Sequence, residues 1–505
     1  MIRRLLERYN GHKLDPVEFC RTCLARQNER SYFNAFITVT DEKALEQAAE
    51  SKQRFHNRSP RLLEGVPIAI KDNFSTENVK TSCASKMLDN YVPPYSATAV
   101  RRLENAGAVI IGKTNLDEFA MGAGTIDSYY GPARSPWSDE KEARDQNSDK
   151  WLVTSGSSGG SAAAVASGVV FGALGSDTGG STRSPGAMLG IAGYKPSYGL
   201  FSRYGLIPLV NSLDCVSILA PTPEDCALLS EALLQDDGIL DDSTVIKYGE
   251  WNKLRRNTGD KICIGVPNDY VTENTNSDVV DAWQIAIDCL ENEGFEIKRV
   301  SMPHTQYAIA AYSVLNAVDV SSNMSRYDGL RYGYRNTELE EKQAMSADEL
   351  VATNRAEAFN DVVRSRILAG NYFSLRQNYD TYVRRAMTIR RLVIEDFDKA
   401  FSQCDILVTP VLPCSPEQAT YSWFQQDDNR TRVEHLDVFT QPANLAGVPA
   451  ISVPISDPKT PLPRSVQMLA PRGCDAMLLD YAQNLFLKFF PDGESNLQKK
   501  FNPLL

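Results

Sequence analysis

Two stretches of this sequence crowd serine against glycine, where a reacting atom could be held. The first reads Thr154-Ser155-Gly156-Ser157-Ser158-Gly159-Gly160-Ser161 and runs into the helix former Ala162-Ala163-Ala164-Val165-Ala166. The second, Gly175-Ser176-Asp177-Thr178-Gly179-Gly180-Ser181-Thr182-Arg183, follows an apolar run. A serine-glycine stretch is ordinarily a linker, but each of these abuts a regular element that holds its backbone. Glycines beside a serine let backbone N–H groups approach a reacting atom unobstructed, and a helix N-terminus adds partial positive charge. The chemistry on offer is attack by a hydroxyl with stabilisation of the resulting oxyanion.

Such a hydroxyl needs a base. The chain holds four histidines, His12, His56, His304 and His435, none in a motif resembling a hydrolase histidine element. Gly156-Ser157-Ser158-Gly159-Gly160 fits the GxSxG elbow with Ser158 in the nucleophile slot, so a Ser-His-Asp hydrolase stands as a rival. It lacks a downstream aspartate and histidine in a matching context. Lysine is the other possible base. Lys71 closes the apolar run 65–70 (GVPIAI) and precedes Asp72 and Asn73. A strand-end lysine is ordinarily a solvated cation. Working as a base means a shift from about 10.4 to about 7, or roughly 4.6 kcal/mol supplied by burial and neighbours. The residues alone leave the roles of the two serine elements and of Lys71 open.

Two further motifs read as structure. Segment 107–114 (GAVIIGKT) matches the phosphate-loop pattern, but its four intervening residues are Ala108, Val109, Ile110 and Ile111, which favour a buried strand over amides curled around an anion. Cys20 and Cys23 form one CxxC with no second pair and no histidine at metal spacing. Asp15 caps a helix there with Pro16 at its first position, so Cys20, Cys23 and Leu24 share a face and the two cysteines read as buried thiols. The ten cysteines are dispersed, which suggests a reducing compartment.

The elements that must position these groups alternate. Apolar runs at 65–70, 108–111, 169–174, 262–266, 405–412 and 451–454 predict strands, and 96–106, 223–234 and 278–292 predict helices. Alternation of this kind predicts α/β architecture with a largely buried sheet. From about 307 to 401 the pattern is helical and rich in Arg, Tyr and Asn, an excursion over the sheet. Segment 138–150 is a charge-dense surface loop. With 505 residues, no repeat and no low-complexity linker, one large domain fits, covering 1–495 with a tail at 496–505. At 42% apolar and 23% charged the composition is globular, and no apolar run long enough to span a membrane occurs. The net charge of −11 opposes stand-alone binding to a phosphate backbone. The short basic start, residues 1–9, reads equally as a first helix or as the trace of an organelle presequence.

These motifs together resemble the amidase signature family. The likeness runs from about residue 14 to about residue 490. It includes 65–74 (GVPIAIKDNF), 112–122 (GKTNLDEFAMG), 156–164, 174–183 and 195–214 (KPSYGLFSRYGLIPLVNSLD). It implies a single large α/β domain with a central twisted mixed sheet covered by helices. It also implies a catalytic set in which Ser181 attacks an amide carbonyl. Ser157, behind a cis peptide bond, relays the proton to neutral Lys71, and the amides of Thr178, Gly179, Gly180 and Ser181 form the oxyanion hole. Ser158 becomes a neighbour of the relay. Thr154 and Ser155 replace the bacterial proline and glycine, and Gly186 the usual alanine; none of these changes removes a catalytic atom.

Within the family the chain is most similar to the A subunits of glutamyl-tRNA(Gln) amidotransferases, mitochondrial forms. Segments 322–333 and 428–432 carry that likeness. It implies glutamine as the amide, with Arg366 clamping its carboxylate, Asp437 facing its amino group and Tyr312 lining the pocket. It implies partner B and C subunits, with tRNA held mainly by B. Ammonia would pass to B, where ATP and Mg²⁺ act, so no cofactor or metal is expected in this chain. It implies a mitochondrial matrix location. The alternative is a stand-alone amidase of the same family acting on another small carboxamide.

Overall fold

The computed structural model describes residues 1–235, 245–246, 262–337, 345–426 and 435–494. The 428–432 motif and the 496–505 tail lie outside these residues. Among the described residues eleven strands form one mixed sheet: β1 Phe36–Val39, β2 Pro67–Lys71, β3 Val109–Thr114, β4 Gly172–Asp177, β5 Ala192–Lys195, β6 Cys215–Ala220, β7 Cys263–Pro267, β8 Glu296–Val300, β9 Ile406–Pro410, β10 Ala450–Ile455 and β11 Arg464–Leu469. Their order is β1-β3-β2-β4-β6-β5-β10-β11-β9-β7-β8. Strand β2 runs parallel to both β3 and β4, while β4 is antiparallel to β6. Ile70 pairs with Leu174. That register brings Lys71, the last residue of β2, level with the start of the second serine-glycine segment.

Seven helices matter for the site or its walls: α1 Gly159–Ala166, α2 Arg183–Leu189, α3 Ala308–Met324, α4 Ala347–Ala358, α5 Asp361–Ser374, α6 Arg385–Phe401 and α7 Gln441–Ala446. Helix α1 is glycine, serine, alanine and one valine, and every residue is buried. Small side chains let it lie directly on β2, β4 and β6. Helix α2 starts two residues after Ser181 and is also wholly buried.

The 307–401 excursion contains helices and no strand among its described residues. Helix α3 packs on α5, α6 and α7. A Cβ on Gly370 of α5 would collide with the carbonyl oxygen of Ala317, so α3 and α5 touch backbone to backbone at that point. The N-terminus of α5 is tied to the core. The Asn360 side chain accepts from Val363 N (3.0 Å), its N–H donates to Glu118 Oε2 (2.8 Å), and its Nδ2 donates to the Asp127 carbonyl (3.2 Å).

Some expectations shift. The 169–174 strand is displaced to Gly172–Asp177, because the serine-glycine segment continues the ladder: Gly175, Ser176 and Asp177 pair with Ser217, Val216 and Cys215. The 138–150 loop contains a short helix, Glu140–Arg144, capped by the Asp139 carboxylate accepting from Lys141 N at 2.9 Å. Strands β1, β5, β6, β8 and β11 fall outside the expected set. Segment 107–114 is strand β3 and its approach, not a phosphate loop. Lys113 is buried, 3.1 Å from Asp72, and donates to the Phe74 carbonyl and to Thr81. Asp15 caps the Pro16–Glu29 helix, accepting from Val17 N at 2.8 Å. Cys20 and Cys23 are buried and free, and burial pushes their thiols up to about 11 and about 12. No described helix is long and apolar enough to cross a membrane.

Candidate active site

Lys71 is fully buried at the end of β2. Its Nζ lies 2.8 Å from the hydroxyls of both Ser157 and Ser158, and 3.0 Å from that of Ser176. Among the described residues no carboxylate comes within ion-pair distance of Nζ. Burial strips the ammonium of water and drives its pKa down to about 7, against the smaller opposing pull of Asp117, Asp177 and Asp214. A neutral amine has two N–H groups and one lone pair, which matches three hydroxyl partners.

The Gly156–Ser157 peptide bond is cis. Gly156 is packed so closely that a Cβ would collide with the Asp117 carboxylate. Asp117 is itself held by the N–H groups of Thr125, Ile126 and Asp127 at 2.9, 2.9 and 3.1 Å. The two serine-glycine segments are pinned together by the backbone: Ser158 N–H donates to the Ser181 carbonyl at 3.0 Å. Ser157 is fully buried and Ser181 is 8% exposed, so of the two serines Ser181 is the residue nearer solvent. No hydrogen bond joins the Ser157 and Ser181 hydroxyls.

The 178–181 turn hangs on an ionic frame that the sequence reading missed. Arg183 is fully buried and grips Asp177 with Nε (3.0 Å) and Nη2 (2.9 Å). It also donates to the Thr440 carbonyl (3.0 Å), to Gln467 Oε1 (2.6 Å) and to Asn444 Oδ1. Burial opposes ionisation of Asp177, but the Arg183 guanidinium outweighs it and holds this carboxyl well below the usual range. Asp214, raised to about 6 by burial, accepts from Thr178 Oγ1 at 2.7 Å and fixes the other end of the turn. Asp177 and Arg183 flank Ser181 in sequence; Asn444 and Gln467 carried no comparable signal.

This frame alters the expected oxyanion hole. The Gly180 N–H donates to Asp177 Oδ1 at 2.9 Å, so that amide is already committed. Gly180 has φ of +139°, a conformation only glycine adopts freely. The N–H groups of Thr178, Gly179 and Ser181 carry no such bond among the described residues.

Two of the three expected pocket residues, Tyr312 and Asp437, lie against the same turn, and the third, Arg366, is joined to Tyr312 through Asn316. A Cβ on Gly179 would sit 2.7 Å from the Tyr312 hydroxyl, and one on Gly180 would sit 2.8 Å from Asp437 Oδ1. Arg366 Nη1 donates to Asn316 Oδ1 at 3.1 Å, and Asn316 Nδ2 donates to the Tyr312 hydroxyl at 3.1 Å. Asp437 accepts from Ser184 Oγ at 3.0 Å and meets Thr440 Oγ1 at 3.4 Å. Burial, helped by the Asp177 charge, raises the Asp437 carboxyl to about 7. Neither Arg366 nor Asp437 has an ion-pair partner among the described residues. The turn therefore has an unpaired acid against it, and an unpaired cation is joined to it through Asn316 and Tyr312. The described residues hold no group of three or more metal-ligating side chains.

An amidase family model matches residues 18–479. The chain is 46% identical over 484 residues to the A subunit of the mitochondrial glutamyl-tRNA(Gln) amidotransferase of Anopheles gambiae, covering 95% of this chain and 96% of that protein. It is 46% identical over 486 residues to the human protein of the same name, covering 93% and 90%. The crystal structure of the A subunit of the Thermotoga maritima glutamyl-tRNA(Gln) amidotransferase superposes with a TM-score of 0.69 at 31% identity, covering 92% of this chain and 90% of that one. With the sheet, the turn and the buried lysine in place, these matches mean that the chain belongs to the amidase family, among its glutamyl-tRNA(Gln) amidotransferase A subunits.

Proposed function

We propose that this chain hydrolyses glutamine for a mitochondrial glutamyl-tRNA(Gln) amidotransferase, with Lys71 as base, Ser157 as proton relay and Ser181 as nucleophile. The observation that carries the reading is the buried Lys71 amine, poised near neutrality and 2.8 Å from Ser157. Ser181 Oγ attacks the carboxamide carbon as its proton moves to Ser157 and the Ser157 proton moves to Lys71. The gap between the two serine hydroxyls closes in the substrate complex, as catalytic hydrogen bonds commonly tighten there. The N–H groups of Thr178, Gly179 and Ser181 receive the oxyanion, each such donor being worth about 2.7–4 kcal/mol. The lysinium returns its proton through Ser157 to the leaving nitrogen, which departs as ammonia. Water then cleaves the acyl-serine to give glutamate.

Arg366 and Asp437 select a free amino acid. The guanidinium fork suits an α-carboxylate, and the carboxylate of Asp437 suits an α-ammonium. The released ammonia serves a partner that activates Glu-tRNA(Gln) with ATP and Mg²⁺, within an assembly of A, B and C subunits. The test is ammonia release from glutamine by the chain co-purified with its partners. Ser181→Ala abolishes release while the melting temperature holds; release at the wild-type rate would overturn the mechanism.

A further inference from the structure

Asn316 is 2% exposed and bridges two helices through opposite ends of its amide. A guanidinium only donates, so the end facing Arg366 must be Oδ1. The end facing Tyr312 is then Nδ2, which only donates. The Tyr312 oxygen therefore accepts from Asn316, and its own O–H proton is left over. No described residue accepts that proton. Burial raises the phenol pKa, so the proton stays in place. The hydroxyl lies against Gly179, at the turn that carries Ser181.

We propose that Asn316 is a positioning residue that makes the pocket selective for a carboxylate-bearing amide, by aiming the Arg366 guanidinium and turning the Tyr312 O–H proton outward beside it. The consequence is two convergent donors, one charged and one neutral, an arrangement that fits a carboxylate and rejects a cation. The backbone contact of α3 and α5 serves the same end. Gly370 is one turn from Arg366 on α5, and Ala317 follows Asn316 on α3, so the closest approach of the helices lies beside the bridge. This proposal rests on the glutamine reading, but its test separates the two.

The readout is selectivity: kcat/KM for glutamine divided by kcat/KM for propionamide, which lacks both the carboxylate and the amino group. It is measured on the complex with its partners. A wild type that does not hydrolyse glutamine would overturn the functional reading before any variant is made. Given glutamine turnover, Asn316→Asp lowers the ratio at least tenfold through KM. The new carboxylate pairs with Arg366 and accepts the Tyr312 proton, cancelling both donors. An unchanged ratio in a folded Asn316→Asp complex would overturn the proposal. Should that variant not fold, Tyr312→Phe removes only the outward proton. It lowers the ratio several-fold by raising KM for glutamine, and a wild-type ratio there would equally overturn it. A purely packing role for Asn316 would lower kcat/KM for both substrates in step and leave the ratio fixed.

Discussion

Lys71 and Arg366 are the two basic side chains of the site, and the molecule treats them in opposite ways. Lys71 stands at the end of a core strand, shielded from solvent and with no carboxylate partner among the described residues, surrounded by three hydroxyls, and burial brings it to about 7. Arg366 stands on a surface helix, only half-buried, steadied by the neutral oxygen of Asn316. A guanidinium keeps its charge in either setting. An ammonium surrenders its charge when the sheet withholds water. The central sheet therefore supplies a group that exchanges protons, and the helical excursion supplies one that holds a fixed charge. The division predicts that mutations in the first region act on kcat and those in the second on KM.

The largest effect is expected at the base. Lys71→Met keeps the length of the side chain and removes the lone pair. It should lower kcat for glutamine by about 10³- to 10⁴-fold, the upper range for loss of a general base. It should also stabilise the protein. The folded-state pKa of Lys71 lies below its unfolded value, so the unfolded chain binds the extra proton between about pH 7 and about pH 10.4, and stability of the wild type rises with pH across that window. Removing the lysine therefore gains more at pH 7 than at about pH 9. Thermal melts at the two pH values check this. A variant that is less stable at pH 7 would mean that the lysine is a structural asset and would collapse the contrast with Arg366.

A smaller effect is expected on the recognition side. Arg366→Lys keeps the charge and loses the fork that meets Asn316 and a carboxylate together. A charge-assisted hydrogen bond is worth about 1.5–3 kcal/mol, which corresponds to KM for glutamine rising roughly 10- to 100-fold. The kcat should move by less than about threefold, as expected for binding lost equally from ground and transition states. Steady-state ammonia release gives both constants. A fall in kcat comparable to the rise in KM would show that the excursion takes part in chemistry and erase the boundary between the regions.

The two regions also differed in how far sequence exposed them. Lys71 and the two serine-glycine segments were legible as types: a lysine after an apolar run, hydroxyls among glycines. The family likeness then distributed the roles. What brings them together is the β2–β4 register, a long-range pairing that no local pattern encodes. The commitment of the Gly180 amide to Asp177 was not legible, because a side chain bonding to a nearby backbone depends on turn geometry. Asn316 was invisible for a different reason. Its meaning lies in contacts to Tyr312, one helical turn away, and to Arg366, 50 residues on, and a buried asparagine on a mixed helix has no signature of its own. Edge strand β8, Glu296–Val300, escaped because its largely exposed, charged sequence lacks the apolar run that marked the central strands.

The finest separation of the two regions comes from pH. Lys71 and Asp437 are both brought to about 7, by burial above all, but from opposite directions. Lys71 works only when it has lost its proton, and Asp437 holds an ammonium only when it has lost its own. Both functions disappear as pH falls through about 7, so their effects multiply. The free enzyme needs both groups deprotonated, and kcat/KM for glutamine should fall on the acid side with a logarithmic slope approaching two. Once substrate is bound, its ammonium keeps Asp437 ionised. The acid limb of kcat then reports Lys71 alone, with a slope of one. Asp437→Asn should reduce the kcat/KM slope to one, lower its plateau and leave the kcat limb where it was. Initial rates between about pH 5.5 and about pH 9 resolve these slopes. A kcat/KM limb of slope one in the wild type, unaltered in Asp437→Asn, would show that only the lysine titrates and that recognition is insensitive to pH.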